Sequence, residues 1–339
     1  MIKELLAQQQ PIVYQALENA CLKNQISSAY LFCGPYGTPK KETAIFLAQS
    51  IFCDEGKLAC ESCNTCRRVK ENTYSDLVIL DGKEKPISKD DVDYIQEKFS
   101  KTALEKNGQR VYIILNVENA SVAAQNSMLK FLEEPQAGIT AILTTDNMNA
   151  VLPTILSRCT ILPFVPMSQE AYQQMALDAK VKEEDIYFVS HIAKNMDDID
   201  YCYPLVDEER KASSVFTNAQ LMLKQYLNKE ERAELLIDYE VSYRSKEKDT
   251  KKAKQENIAI IRNFLQFLMM YIHDCILQHF EGPSWYQNAV KNSSLSKEDS
   301  GKLLMIVSEQ LDKVNRFNDL NLVMDQTFYK LEVFNNERK

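Results

Sequence analysis

Short apolar runs alternate with helical patterns over the first 165 residues. Five runs of four or five residues are apolar with few breaks, as strands covered on both faces are. They are Ala29 to Cys33, Leu77 to Leu80, Val111 to Leu115, Ala141 to Thr145 and Thr160 to Phe164. Helical spacing of apolar residues marks Pro11 to Lys23, Lys41 to Phe52, Cys63 to Glu71, Lys89 to Lys101, Val122 to Glu134 and Ala150 to Leu156. Strands alternating with helices predict crossover connections and a mostly parallel α/β sheet.

The pattern changes after Pro163 and Pro166, and no strand is predicted beyond them. The helical patterns there are Gln169 to Asp178, Glu183 to Lys194, Ser213 to Leu227, Lys229 to Glu240, Lys251 to His279, Lys302 to Phe317 and Asn321 to Phe334. The first two could form a small helical domain, and the longer ones an independent bundle. We therefore predict three domains: residues 1–165 as α/β, 166–211 as a small helical domain, and 212–339 as a helical bundle.

Composition and charge narrow the class of protein. The 339 residues are 45% hydrophobic and 26% charged with a formal net charge of −8, which excludes disordered and fibrous classes and a wholly cationic surface for nucleic acid. The most apolar stretch, Ile258 to Leu277, is interrupted by polar residues, so it predicts a buried helix rather than a membrane span. The N-terminus lacks the features of a secretory signal. We expect a cytoplasmic protein with no membrane partner.

A basic run over residues 244–254 carries six Lys/Arg against two acids. Such a run could meet nucleic acid, but next to a helix start it is more often a solvated loop or helix face.

The segment Gly34-Pro35-Tyr36-Gly37-Thr38-Pro39-Lys40-Lys41 lies between a strand and a helix, where a P-loop G-x-x-x-x-G-K-[ST] cradles phosphates. Gly34 and Lys40 match the pattern. Pro39 replaces the second glycine and has no N–H to offer, and Lys41 places a cation where a hydroxyl would ligate Mg²⁺. Thr43, two residues on, faces another side of the helix. We expect no functional binding of ATP.

The second half of such a nucleotide site is degraded as well. In working enzymes the end of the next catalytic strand carries acids that hold Mg²⁺ and activate water. Leu115 and Asn116 occupy those positions, and Glu118 is predicted to be an exposed loop residue. Two independent lesions indicate a retained scaffold that has lost hydrolysis.

Four cysteines, Cys53, Cys60, Cys63 and Cys66, are spaced C-x6-C-x2-C-x2-C. Four thiolates at this spacing predict a closed, tetrahedral and structural Zn²⁺ site. Redox chemistry between neighbouring pairs and unliganded thiols are the alternatives. The remaining cysteines are predicted to be buried small hydrophobes: Cys21, Cys33, Cys159, Cys202 and Cys275.

Several motifs occur together in a fixed order. They are Gly34-Pro35-x-Gly37, the four-cysteine insertion, residues 126–135 (NSMLKFLEEP) and residues 152–159 (LPTILSRC). Over residues 25–165 the chain resembles the AAA+ clamp-loader subunits of bacterial DNA polymerase III, and Asn315 to Phe334 resembles their C-terminal collar helix. The resemblance implies an AAA+ P-loop-type parallel sheet with a zinc-binding insertion, a small helical lid domain and a C-terminal all-α collar bundle for oligomerisation.

Within that family, gamma/tau subunits keep an intact ATP site and delta-prime subunits have a degraded one, so the lesions make this chain resemble the delta-prime type. No arginine lies between Lys180 and Tyr203, where ATP-binding relatives place one. The resemblance implies no intrinsic ATPase activity, membership of the polymerase holoenzyme, and as partners gamma/tau and delta subunits, the sliding clamp and primed DNA. Rival interpretations are an active gamma/tau-type ATPase and a zinc-dependent nucleic-acid-binding module.

The resemblance also implies a role for Arg158, whose guanidinium would act as an arginine finger on the ATP of a neighbouring subunit. The alternative is a surface arginine in an ordinary salt bridge. Glu133 and Glu134 end a predicted helix, where carboxylates face its negative pole. Either solvent screens them or a basic residue of a neighbouring subunit meets them.

Overall fold

The computed structural model describes residues 1–100, 103–105, 108–206, 209–228, 230–232, 235, 243, 245, 247, 249–316 and 320–337. The chain divides into two compact units, Met1–Met167 and Ser168–Lys339.

The first unit contains a five-stranded sheet in the order β2-β3-β4-β1-β5 with every neighbouring pair parallel. Its strands are β1 (Ala29–Cys33), β2 (Leu77–Asp81), β3 (Arg110–Leu115), β4 (Ile139–Thr145) and β5 (Thr160–Pro163). Each predicted strand is confirmed with bounds within two residues. The expected P-loop-type parallel sheet is therefore confirmed, because non-consecutive neighbours such as β4 and β1 require crossover connections.

Helices cover both faces of this sheet. They are α1 (Ile2–Gln9), α2 (Pro11–Leu22), α3 (Lys40–Phe52), α4 (Asn64–Lys70), α5 (Lys89–Ser100), α6 (Val122–Glu133) and the short α7 (Pro153–Leu156). Tyr30 and Phe32 point into the core under α2 and α3, while Leu31 points into the core under α5 and α6. This alternation explains why the strands read as continuous apolar runs. Helix α1 is not predicted by the sequence pattern.

Glycine is required where the end of β1 passes close to the chain that follows β5. A Cβ on Gly34 would lie 2.6 Å from the carbonyl oxygen of Phe164. The backbone N–H of Phe164 donates to the carbonyl of Cys33 at 2.7 Å, so the two segments stay paired beyond the end of β5. No larger side chain fits at position 34 without moving this backbone.

The second unit is helical, with one small hairpin. Its helices are α8 (Gln169–Asp178), α9 (Glu183–Ile192), α10 (Met196–Cys202), α11 (Ser214–Leu227), α12 (Thr250–Leu277), α13 (Ser284–Lys291), α14 (Lys297–Arg316) and α15 (Leu320–Glu337). The hairpin pairs β6 (Leu205–Val206) with β7 (Glu209–Arg210). The expectation of no strand is thus wrong, because strands of two residues leave no periodic signal. Most of the predicted helix 229–240 lies outside the described residues.

One hydrophobic core joins the helices of the second unit. Phe188 of α9, Phe216 of α11 and Phe267 of α12 are all fully buried in it. Within this core the buried carboxylate of Asp274 accepts hydrogen bonds from the hydroxyls of Tyr187, at 2.7 Å, and Tyr286, at 2.5 Å. Residues of the predicted lid and of the predicted bundle therefore pack together, and the boundary at residue 211 stays a prediction.

Among the described residues, α12 is long and apolar enough to cross a membrane by length and composition alone. However, 61% of its most apolar 18-residue window is buried inside the protein. Burial of this extent is typical of the core helix of a bundle, so the helix is weak evidence for a membrane span.

Candidate functional site

The P-loop-like segment lies where the sequence predicts it, between the end of β1 at Cys33 and the start of α3 at Lys40. The strands are parallel, so the carboxyl ends of β1, β2, β3 and β4 meet at one edge of the sheet, the edge at which α/β proteins bind ligands. Lys40, Lys41, Asp81, Asn116 and Asp146 all lie at this edge.

The Lys40 ammonium is fully engaged within its own loop. It donates to the carbonyl oxygens of Gly34 and Pro35 and to the Thr38 hydroxyl, each at 2.7 Å. It also forms an ion pair with Asp146 at 2.9 Å. Only 6% of the side chain is exposed. The loop therefore holds internally the cation that would bind a nucleotide phosphate in a working site.

The two departures from the P-loop pattern have structural consequences. Pro39 precedes α3 with φ −76° and supplies no side-chain cap for the helix. The exposed Lys41 ammonium points to the carboxylate of Asp81 at 3.4 Å. Thr43 is fully buried and its hydroxyl donates to the carbonyl of Pro39, as expected for a side chain turned away from the loop. No hydroxyl from these residues is presented for a magnesium ion.

The end of β3 carries no acid, as the sequence indicates, but the expectation for Glu118 is wrong. Asn116 adopts left-handed backbone with φ 52° and turns the chain back toward β4. This turn makes Glu118 half-buried, and its Oε1 accepts from the backbone N–H of Asp146 at 2.9 Å and from the Asn116 amide at 3.3 Å. Glu118 thus holds the loop that carries the partner of Lys40, rather than lying exposed in solvent.

Arg158 lies at the surface just after α7, with 33% of its side chain exposed. Its guanidinium donates to the carbonyl of Thr154 at 2.8 Å and forms an ion pair with Glu133 at 2.8 Å. The residue that meets Glu133 at the end of α6 therefore comes from the same chain. In the isolated chain Arg158 has the geometry of a surface salt bridge, and its role as a finger stays a prediction.

The four cysteines predicted to bind metal come together in one cluster. The Sγ atoms of Cys53, Cys60, Cys63 and Cys66 all lie within 4.8 Å of one another. The backbone N–H of Cys63 donates to the Cys60 sulfur at 3.3 Å, and that of Cys66 donates to the Cys63 sulfur at 3.4 Å. Four converging sulfurs, two of which accept these backbone N–H groups, could hold a metal ion, and such a donor set suits soft cations.

The surroundings of the cluster set the ionisation of its thiols. Backbone N–H groups of Ser62 and Cys63 lower the pKa of the Cys60 thiol to about 6, so it is a thiolate at neutral pH. Burial raises the pKa of the Cys66 thiol, which disfavours its thiolate when no cation is bound. Of the other five cysteines, Cys21 and Cys202 are buried as predicted, and the remaining three are half-buried.

Comparison with known proteins finds a family model that matches most of the first unit. Residues 9–168 match the model of a protein family described as DNA polymerase III, delta subunit. The delta' subunit of DNA polymerase III from Bacillus subtilis is 37% identical over 188 residues, which are 55% of this chain and 57% of that protein. The Bacillus subtilis tau subunit is 32% identical over 166 residues, 47% of this chain and 28% of that protein.

The chain thus spans less than two thirds of the length of these relatives. A gamma subunit-related protein from Thermotoga maritima superposes with a TM-score of 0.44 at 16% identity, over 92% of this chain and 97% of that one. The Bacillus subtilis DNA clamp loader delta protein has a TM-score of 0.32 at 12% identity, over 94% of this chain and 99% of that one. Values this low support no inference, and the fold assignment rests on the strand order of the sheet.

The basic run over residues 244–254 falls partly outside the described residues. Its described part contains the start of α12, where the Asp249 side chain accepts from the backbone N–H groups of Lys251 and Lys252. The Lys252 side chain pairs with Glu247 at 2.8 Å and is 60% exposed. This part is a solvated helix start.

Proposed function

We propose that this chain is a clamp-loader subunit of the delta-prime type, which hydrolyses no ATP itself. It would complete a ring of AAA+ subunits with gamma/tau and delta partners in the cytoplasm and help to load the sliding clamp onto primed DNA. The family match of residues 9–168 and the similarity to a delta' subunit support membership of such a complex. The helical second unit, which includes the collar-like segment ending in α15, would join the collar.

The internal engagement of Lys40 carries the non-hydrolysing part of the proposal. A phosphate could reach this ammonium only by displacing the carboxylate of Asp146. Only 25% of the Asp146 side chain is exposed. The carbonyl oxygens of Gly34 and Pro35 face the same position and would repel phosphate oxygens. A working phosphate loop directs N–H groups at this point instead.

Arg158 would serve the ATP of the adjacent subunit. Its guanidinium is anchored by the Thr154 carbonyl, while its ion pair with Glu133 is part-exposed and worth about 0 to 1 kcal/mol. A triphosphate carries several negative charges, so it would outcompete one exposed carboxylate for this cation. Charge developing on the transferred phosphoryl group is then offset in trans, an effect worth about 10³ to 10⁵ in rate.

The four cysteines would hold a structural Zn²⁺. Because Cys53, Cys60, Cys63 and Cys66 supply four thiolates, no coordination position remains for a reacting water. The ion would order the loop between α3 and α4 and take no part in chemistry.

Reconstitution with gamma/tau and delta subunits, clamp and primed DNA tests the proposal. Arg158→Ala should assemble normally and lower ATP turnover at the neighbouring site by about 10³-fold or more. Arg67→Ala, which removes an exposed arginine elsewhere on the first unit, is the matched control and should behave as wild type. Wild-type turnover and clamp loading by the Arg158→Ala complex would remove the proposed role.

The isolated chain separates the rival functions. Equilibrium dialysis should detect no tight binding of Mg-ATP; an active ATPase would bind it and lose it on Lys40→Ala. A zinc-dependent nucleic-acid module would instead bind DNA with a salt-dependent affinity that disappears when the metal is removed.

A further inference from the structure

The loop that carries the four cysteines also holds the N-terminal helix. Glu61 lies between Cys60 and Cys63 and adopts left-handed backbone with φ 57°. Its carboxylate accepts from the backbone N–H of Ile2 at 2.8 Å and of Lys3 at 3.3 Å. These are two of the four N–H groups that the first turn of a helix leaves without an internal partner, and a negative charge at this end is favourable.

Helix α1 is also packed against the cysteine cluster. Leu6 is completely buried in a small core that contains Phe46, Ala59 and Cys66 and is bordered by the other three cysteines. Polar and apolar contacts therefore tie the same helix to the same loop, so the position of α1 depends on the order of that loop.

The other end of α1 holds the chain where it leaves the first unit. Gln10 follows α1, immediately precedes α2, and is 2% exposed. Its side-chain amide donates to the carbonyl of Val165 at 2.7 Å and accepts from the N–H of Val165 at 3.1 Å. This pair of bonds is the one that a neighbouring strand would supply. Val165 lies after β5, three residues before the second unit begins at Ser168.

We propose that α1 is a strap that couples metal binding at the four cysteines to the exit segment around Val165. The bound ion orders the loop, Glu61 and Leu6 then fix α1, and Gln10 holds Val165 against the edge of the sheet. Loss of the ion releases the strap and frees the exit segment. This inference rests on the proposed metal occupancy and is independent of the proposed role in clamp loading.

Hydrogen exchange of the full chain, followed by mass spectrometry, measures the protection of backbone amides at both ends of the strap. Pro163 and Pro166 have no amide hydrogen, so a peptide over residues 163–166 reports only Phe164 and Val165. The Phe164 N–H donates to the carbonyl of Cys33 in the sheet, so a change in the exchange of this peptide reports on Val165.

Three Zn²⁺-loaded variants establish the order of the coupling. Glu61→Asn tolerates left-handed backbone but is too short to bridge both amides, and should speed exchange at Ile2, Lys3 and Val165 by about tenfold. Gln10→Ala should speed amide exchange at Val165 by a similar factor and leave the amides of Ile2 and Lys3 protected. Glu55→Asn makes the same change at an exposed residue of the loop and should match wild type.

Removal of Zn²⁺ from the wild-type chain with a chelator and a thiol reductant should reproduce the Glu61→Asn pattern. Acceleration at Ile2 and Lys3 in Glu61→Asn without any at Val165 would overturn the coupling through α1. Unchanged exchange at all three amides after chelation would overturn its dependence on the metal. If chelation speeds exchange throughout the sheet, the metal-loaded Glu61→Asn and Gln10→Ala variants decide whether α1 couples the cysteine loop to Val165. A chain purified without bound metal refutes the proposed zinc site, while the same two variants still test the strap.

Discussion

Lys40→Ala distinguishes a structural lysine from a catalytic one. In a working phosphate loop the equivalent change abolishes nucleotide binding, because its ammonium contacts the phosphates. In this chain the ammonium instead closes the loop, with three hydrogen bonds and an ion pair to Asp146. We expect Lys40→Ala to destabilise the first unit.

The size of the effect follows from these contacts. A hydrogen bond to a charged group contributes about 1.5 to 3 kcal/mol, and breaking a buried ion pair from one side costs about 3 to 5 kcal/mol. The contacts share one ammonium and Asp146 is partly solvated, so their contributions do not add and water replaces some of them. We expect a loss of about 2 to 4 kcal/mol. Lys41→Ala, which removes a 56%-exposed side chain, should cost about 1 kcal/mol at most.

Urea unfolding monitored by pulsed hydrogen exchange of peptides from β1 and β4 measures the first unit. The single tryptophan, Trp285, lies in the second unit, and its fluorescence is an internal reference. Lys40→Ala should lower the midpoint of the β1 and β4 peptides by about 1 M urea or more and leave the Trp285 midpoint unchanged. A wild-type midpoint together with the loss of measurable Mg-ATP binding would refute this reasoning and restore a working phosphate loop.

Two further predictions concern thiol reactivity and the helical core. In the metal-free protein, iodoacetamide should modify Cys60 well before Cys159 at pH 7. Backbone N–H groups of Ser62 and Cys63 lower the pKa of Cys60 to about 6, whereas burial raises the pKa of Cys159 to about 12. Peptide mass spectrometry measures the modification rate of each cysteine. Equal rates for Cys60 and Cys159 would contradict the prediction. Phe188→Ala should destabilise the second unit by about 3 to 5 kcal/mol, because Phe188 is fully buried and stacks on Trp285 with 5.7 Å between the ring centroids. Unfolding followed by Trp285 fluorescence measures this loss. An unchanged midpoint would exclude it.

The strands were predictable because burial on both faces leaves continuous apolar runs, as in Val111 to Leu115. Helix α1 was not, because its sequence ends in two glutamines and its position is fixed by Leu6 and by Glu61, which is more than 50 residues away. Tertiary contacts of this kind leave no local pattern. The two-residue strands of the hairpin in the second unit are too short for any periodicity.

The same limit applies at the candidate sites. Spacing alone brought the four cysteines together correctly, since all of them lie within one short loop and the turn that follows. Glu118 was wrongly expected to be exposed, and the intrachain partner of Glu133 was not predicted. The residues they contact, Asp146 and Arg158, are more than 20 residues further along the chain. The sequence indicated which groups of the P-loop pattern this segment lacks, but not that Asp146 pairs with Lys40 there.

The engagement of Lys40 has a consequence for how the first unit responds to the cell's energy supply. A protein that binds nucleotide gains stability as the logarithm of the free nucleotide concentration, and loses that gain on starvation. In this chain the carboxylate of Asp146, tethered in the same unit, meets the Lys40 ammonium at 2.9 Å and is always present at the same effective concentration. If the proposed loss of nucleotide binding holds, the unit should keep its melting temperature whether ATP is abundant or exhausted.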